Sequence, residues 1–440
     1  MATVVLSGAS ASHASLQHLL AELSRQLHRL DGSDVRVFDL ATTPLAYCQG
    51  EFDCWLKTPG ACRAHDAEDA IVRAIHDADR LVLLDEATFG GYSYTVKRAV
   101  DRMICLISPF FEKRMELTHH EPRYVHAASL HAIGWQASAD PAVDATWCAL
   151  ADANALNLMA PRVGAGVLDD SNRETWPQAI GDILASSQVP GHAIVDRASL
   201  RDAMLGAAGA SQVAPAAPPQ TAALLVGSAK ARGTSLSENL AGAIRLRLER
   251  SGVQVQTRFA VDFLHDARAT ATAHEMADAD LLVLVSPLYV DALPALATRA
   301  LSLIAEARRG RPPSGRCAAL INCGFPEPEH VRTALRIVRH FSGAAGYGWS
   351  GGLPLGGGGV MNPQTPVDEQ HGPADHIRAA LDRAVADLAS GGAVSREAIE
   401  EMARPAMHDM LYRLGGDLGW RYRAHQNGLT QAQLRARPLD

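Results

Sequence analysis

Three groups of residues in this chain have the types and spacing to do chemistry. The first is the loop Gly227-Ser228-Ala229-Lys230-Ala231-Arg232-Gly233-Thr234-Ser235, lying between an apolar run and a helical pattern. Ser228, Thr234 and Ser235 supply hydroxyls there, and Lys230 and Arg232 supply charge. Small residues at such a turn let backbone N–H groups and the positive end of the next helix approach a phosphate. The earlier loop Ser7 to Ser15 is similar, with Ser10, Ser12 and Ser15, but it holds no Lys or Arg. Ser and Thr also cap helices in ordinary tight turns, so both loops have a purely structural reading too. Neither matches a Walker A or G-x-G-x-x-G pattern, which argues against ATP and against a dinucleotide held in Rossmann style.

The second group is Cys48, Cys54 and Cys62, three thiols within fifteen positions, with Glu51 among them. A four-iron cluster takes four thiolates, and a three-cysteine zinc site usually finds a histidine. We therefore expect no iron–sulfur cluster and no bound metal, with His65 as the residue that keeps zinc open. The third group is His119-His120 with Arg123 and Tyr124. Histidines placed over a substrate donate protons near neutral pH; the competing role is a polar loop capping the preceding element. Lone histidines such as His265 and His340 read as surface residues.

The elements that position these groups occur twice. Asp77-Ala78-Asp79 before Leu81-Val82-Leu83-Leu84 reappears as Asp278-Ala279-Asp280 before Leu282-Val283-Leu284-Val285, and the same offset maps Arg98-Ala99 onto Arg299-Ala300. Each copy opens with a short apolar run, Thr3 to Leu6 or Ala222 to Val226, then a small-residue loop and an amphipathic helix pattern. Apolar strands alternating with amphipathic helices predict a parallel sheet covered on both faces. The expected fold is α/β: two tandem doubly wound parallel-sheet domains with a helical C-terminal tail. The expected boundaries are a first domain at 1–205, a linker at 206–220, a second domain at 221–392 and the tail at 393–440. The linker has Ala/Pro/Gly composition, and Pro44 to Asp69 is an insertion found only in the first copy. Trp420 and Tyr422 stand out in the tail.

Composition sets outer bounds. With 440 residues, two or three domains are expected, and 47% apolar with 20% charged residues is a globular balance. A net charge of −7 argues against a nucleic-acid surface. No apolar run nears the roughly 20 residues of a membrane span. The N-terminus lacks the basic region of a signal peptide. Seven cysteines, an odd number, fit a reducing compartment, and a cytoplasmic location is expected.

On these loops the second copy resembles the NADPH-dependent FMN reductase branch of the flavodoxin-like superfamily. It has Gly-Ser-x-x-x-x-Gly-Thr-Ser after its first strand, Ser286-Pro287-Leu288-Tyr289 after its third, and Asn322-Cys323-Gly324-Phe325-Pro326-Glu327 after its fourth. A glycine run follows at Gly356 to Gly359. The resemblance implies FMN, with its phosphate at Ser228, Lys230, Arg232, Thr234 and Ser235. It places the isoalloxazine against Pro287, Leu288, Tyr289, Cys323, Gly324 and Phe325. The first copy resembles iron–sulfur flavoproteins and their cluster-free relatives through its cysteine segment, Thr88-Phe89-Gly90-Gly91-Tyr92-Ser93, Lys97, and Asp101-Arg102. Its implied flavin contacts are Ser10, Ser12, Ser15, Thr88, Phe89, Gly90 and Gly91. It departs from the pattern by lacking a Gly-Ser-x-Arg opening and by having Glu86-Ala87 where Ser/Thr-Pro is usual. The function implied is an FMN-dependent oxidoreductase passing electrons from NAD(P)H to a quinone, flavin or other small acceptor, with no nucleic-acid or membrane partner. The alternative is an FMN-binding electron-transfer protein that serves a protein partner and binds no nicotinamide. A homo-oligomer stays open.

Overall fold

The computed structural model describes residues 1–32, 34–192, 194, 196–211 and 217–440. The chain divides into two compact units. One comprises Met1–Met115, His119–Val195 and Arg413–Asp440, the other Glu116–Thr118 and Asp196–Tyr412.

The first unit is built on strands β1 (Thr3–Ser7), β2 (Val35–Asp39), β3 (Arg80–Glu86), β6 (Ser129–Gln136) and β7 (Val163–Asp169), in the order β2-β1-β3-β6-β7 with every pairing parallel. Helix Ala14–Asp31 puts Leu16, Leu19, Leu23 and Leu27 on one stripe, and all four are buried against Val5, Val82, Ile133 and Trp176. That is the 3.6-residue period at work. Between β3 and β6 the chain forms β4 (Ile107–Arg114) and β5 (Leu117–Pro122), a separate two-stranded hairpin closed by Met115 and Glu116, both at positive φ.

The second unit repeats the plan with β8 (Thr221–Val226), β9 (Gln254–Phe259), β10 (Leu281–Pro287), β11 (Arg316–Asn322) and β12 (Gly348–Leu355). Their order is β9-β8-β10-β11-β12, again all parallel. The two sheets are the same doubly wound, flavodoxin-like arrangement. The repeat extends to backbone detail. The turn after β3 is pinned by a Thr88–Gly91 bridge with Phe89 and Gly90 at positive φ. The turn after β10 is pinned by Tyr289–Ala292 with Val290 and Asp291 at positive φ.

The chain divides at different places from those expected from composition. Helix Arg197–Ala208 groups with the second unit, where Leu200, Met204, Ala207 and Ala208 are buried. Of the expected linker 206–220, Gly209 accepts a hydrogen bond from the Trp349 indole (2.9 Å) and the Ser211 amide donates to Trp349 (3.2 Å). Residues 212–216 of that linker lie outside the described residues. Arg413–Asp440, the greater part of the expected tail, groups with the first unit. There Trp420, Ala424, Leu434 and Leu439 join a satellite core with Phe52, Cys54, Trp55, Cys105 and Phe110. Among the described residues no helix is long and apolar enough to cross a membrane.

Candidate functional site

In a doubly wound sheet the crevice for a ligand opens at the carboxyl ends of the strands, where the strand order reverses. In the second unit that point lies between β8 and β10. The loop 227–235 leaves β8 with Gly227 pressed on β10: a β-carbon there would lie 2.5 Å from Ser286 Oγ, so the close approach requires glycine. Ser228 is 3% exposed, and its Oγ accepts from the Lys230 amide at 3.3 Å. Ser235 caps helix Leu236–Arg250 by accepting from the Glu238 amide at 3.1 Å. The Gly233 amide donates to a Glu238 carboxylate oxygen at 2.6 Å, so the loop already turns one donor toward an anion. Thr234 is exposed, and its hydroxyl donates to Ala231 O at 2.6 Å. Arg232 points elsewhere, to Asp262 (3.2 Å), with its guanidinium 3.8 Å from the Phe259 ring centre. Lys230 is half-buried beside the loop.

Across the crevice, Pro287, Leu288 and Tyr289 are half-buried at the end of β10, and the Leu288 amide donates to Asn322 O at 2.9 Å. Asn322 also accepts from Ser237 Oγ at 2.8 Å, which ties the end of β11 to the helix that follows the loop 227–235. Val290, a β-branched residue at φ 42°, holds its turn in a conformation such residues rarely adopt. Strain of that kind collects where geometry matters for function. Cys323 is buried; its thiol reaches Phe325 O (3.4 Å), and burial pushes it well above its ordinary range. Gly324 is exposed, and the half-buried Phe325 lies against His330 with the rings tilted and their centres 4.6 Å apart. The glycine run closes on this loop, with Gly358 N donating to Cys323 O (2.9 Å) and the Tyr412 hydroxyl donating to Gly324 O. Ser286 belongs to the motif read from the sequence, whereas Ser237 and Tyr412 do not. Ser237 shows itself only through its bond to the end of β11, and nothing local flags Tyr412.

These groups fit a phosphate monoester: a buried hydroxyl, a capped helix N-terminus and a nearby cation, facing a strand end with apolar and aromatic residues. The corresponding place in the first unit is built differently. Asp85-Glu86, not the Glu86-Ala87 expected from sequence, is in register with Ser286-Pro287, since β3 ends at Glu86 as β10 ends at Pro287, and a β-carbon on Gly8 would meet Asp85 Oδ1 at 2.2 Å. Asp85 is buried and accepts from the Ser93 amide (2.6 Å) and hydroxyl (2.8 Å). Ser10 and Ser12 bond each other at 3.0 Å, and Ser15 donates to Asp170 at 2.8 Å while accepting from Arg173 at 2.7 Å. Thr88 and Phe89 are half-buried, and Gly91 is buried. Gly90 packs on Thr146, where a β-carbon would come within 2.9 Å of the threonine Cβ. The loop's hydroxyls are thus turned to their own neighbours, and a carboxyl replaces a hydroxyl beneath it.

Burial raises the Asp85 carboxyl to about 8, and it does the same to Glu68. A carboxyl whose folded value exceeds its unfolded one keeps its proton in the native state after the unfolded chain has lost it. Its contribution to stability is therefore complete below about pH 4 and is lost as pH rises to about 8. The decline reaches up to about 1.4 kcal/mol per pH unit for each group. Denaturant unfolding between pH 5 and 8 should show that decline, and Asp85→Asn should flatten it; an unchanged slope in the variant would assign the effect elsewhere.

Cys54 is buried, Cys48 and Cys62 are partly so, and burial raises Cys48 to about 12 and pushes Cys54 well above its ordinary range. A fourth thiol, Cys105, lies close enough to Cys54 to act on it electrostatically, a neighbour the sequence spacing concealed. Protonated thiols are poor ligands, and among the described residues no group of three or more His, Cys, Asp or Glu is arranged to hold a metal ion. His119 and His120 lie on β5. His119 is buried with Nδ1 2.7 Å from Asn157 Oδ1. His120 Nδ1 donates to Pro109 O at 3.1 Å, its ring lies 4.6 Å from that of Trp55, and burial lowers it to about 3. A histidine held neutral to that degree is not a proton donor near pH 7.

Residues 1–146 match the model of the family described as NADPH-dependent FMN reductase. No curated protein matches the chain. Among solved structures, an azoreductase from Bacillus anthracis str. Sterne is similar at 15% identity, covering 39% of this chain and 99% of its own, with a TM-score of 0.28. The Trp repressor binding protein from Bacillus subtilis is similar at 11% identity, covering 37% and 96%, with a TM-score of 0.28. A flavodoxin from the domain Archaea is similar at 15% identity, covering 38% and 96%, with a TM-score of 0.26. With a parallel sheet in the order β2-β1-β3-β6-β7 beneath that match, the N-terminal copy is similar to the NADPH-dependent FMN reductase family over residues 1–146.

Proposed function

We propose that the chain is an FMN-dependent oxidoreductase that takes electrons from NAD(P)H and passes them to a quinone, free flavin or other small acceptor, in the cytoplasm. The observation that carries this reading is the family match over residues 1–146. The second unit supports it with the loop 227–235 facing the end of β10. In this reading Ser228, Thr234, Ser235, Lys230 and the N-terminus of helix Leu236–Arg250 hold the phosphate, while Leu288, Tyr289 and Phe325 flank the ring. Bound FMN would supply hydride and single-electron chemistry. The protein's part is to orient the group and keep water from its face. Tyr412 helps by holding the loops after β11 and β12 together.

The test is a visible spectrum of the purified protein, chromatography of the flavin released on denaturation, and anaerobic titration with NADH and NADPH. FMN as the main released species, bleached by a nicotinamide, is the expected result. FAD in its place, or a protein that stays colourless after incubation with FMN, would overturn the reading. Bound FMN that neither nicotinamide reduces would instead make the chain an electron carrier for a protein partner. Iron and acid-labile sulfide on anaerobically purified protein should both fall far below four per chain, since Glu51 interrupts the thiol run and burial keeps Cys48 protonated. Stoichiometric iron with broad visible absorbance would contradict this.

A further inference from the structure

Asn239 is the fourth residue of helix Leu236–Arg250, a position where alanine or leucine would serve the helix better. Its amide donates to Ser235 O at 3.2 Å, as the helix requires, but its half-buried side chain turns away to another segment. Nδ2 donates to the carbonyls of Thr365 (2.6 Å), Pro363 (3.1 Å) and Asn362 (3.4 Å), and Oδ1 accepts from the Val367 amide at 3.0 Å. Gln370 braces the same segment, donating to Thr365 O (2.7 Å) and accepting from the Asn362 amide (3.0 Å), and Arg247 pairs with Asp368 at 2.7 Å. At the near end of the segment the Gly357 amide donates to Phe325 O at 2.6 Å. A β-carbon on Gly358 would come within 2.9 Å of Leu236 Cδ2 and 3.1 Å of Cys323 O. The stretch 356–370 therefore touches the first residue of the helix after the loop 227–235 and also the loop after β11.

We propose that residues 356–370 form a strap at the rim of the second unit's crevice, latched by Asn239 as a positioning residue, which makes FMN a resident cofactor in slow exchange and not a diffusing substrate. The inference rests on the FMN reading given above. Ser235 caps the helix and Asn239 lies one turn further on, so the latch and the helix N-terminus share a turn. A ligand held at that N-terminus leaves more easily once the strap lifts from Leu236, and lifting it breaks the Asn239 bonds. The closed form is further favoured by Val367 and Met361, which are 1% and 6% exposed. Pro363 and Pro366 fix φ at two positions of the strap and narrow the open forms it can adopt. Opening is then a local event that sets how fast the ligand departs.

Release of FMN from the loaded full chain, followed by flavin fluorescence after dilution, tests this. Asn239→Ala should speed release on the order of 10- to 100-fold, the equivalent of two ordinary hydrogen bonds. Gln370→Ala, which lies outside the helix, should shift it the same way. Hydrogen exchange on the flavin-free protein gives a readout that needs no ligand. There Asn239→Ala should raise exchange at the Val367 amide and its neighbours and leave β8, β10 and β11 as protected as before, with no fall in the thermal midpoint. Release rates equal to the wild type in both variants, or unchanged exchange in the strap, would overturn the inference and leave the FMN reading standing. Wild-type release complete within the mixing time would also overturn it, since FMN would then be a diffusing substrate. A wild-type chain that takes up no FMN would overturn the FMN reading, and this inference with it.

Discussion

Trp55→Ala is expected to destabilise the first unit by about 3–5 kcal/mol, the range for a large aromatic removed from a core. Trp55 is fully buried, and its indole N–H donates to Ile107 O at 3.1 Å and Ile104 O at 3.2 Å. It stacks on Phe52 at 5.2 Å and meets Trp420 edge-on. One substitution therefore leaves a cavity, strands two carbonyls and loosens the contact between the cysteine segment and the C-terminal helix. Removing residues 413–440 should do as much from the other side. Leu434 is fully buried, and the buried Arg123 donates to Ala436 O at 2.7 Å and to Cys105 O at 3.1 Å, holding the chain end to the hairpin region. Denaturant unfolding followed by tryptophan fluorescence measures both. If either variant unfolds within about 1 kcal/mol of the wild type, the satellite core does not carry the stability assigned to it.

The second large effect concerns the flavin. Ser228→Leu/Thr234→Leu is expected to weaken FMN binding by about 10²–10⁴-fold. Hydrogen bonds to a charged group contribute about 1.5–3 kcal/mol each, and two of them convert to that factor. Ser10→Leu/Ser12→Leu should leave the flavin content unchanged, because those hydroxyls already bond each other and Asp85 lies under that loop in place of Ser286. Flavin absorbance per chain, read with a titration of added FMN, separates the two cases. Loss of flavin from the Ser10/Ser12 variant, with retention in the Ser228/Thr234 variant, would move the site to the first unit, where the family match lies.

The sequence by itself determined the layered architecture. Strand runs such as Leu81 to Leu84 and Leu282 to Val285, and helix stripes such as Leu16, Leu19, Leu23 and Leu27, carry their periods locally. Their recurrence at one offset marks the duplication in the sequence itself. The glycine at 227 was legible for the same reason, since a tight turn leaves its mark in a few adjacent residues. What only the tertiary structure decided involves partners far apart along the chain. Arg232 looked like a phosphate ligand, but Asp262 and Phe259 on the neighbouring β9 side take its guanidinium. His120 looked like a proton donor, yet Trp55 and Phe111 from two other segments enclose it and strip its charge. The sequence left open what the helical tail packs on, and it completes the core of the first unit through Trp420, Ala424 and Leu434. Periodicity tells each residue which way to face within its own element. It does not say which distant side chain will be there to meet it, and burial, charge and ligand geometry all depend on that meeting.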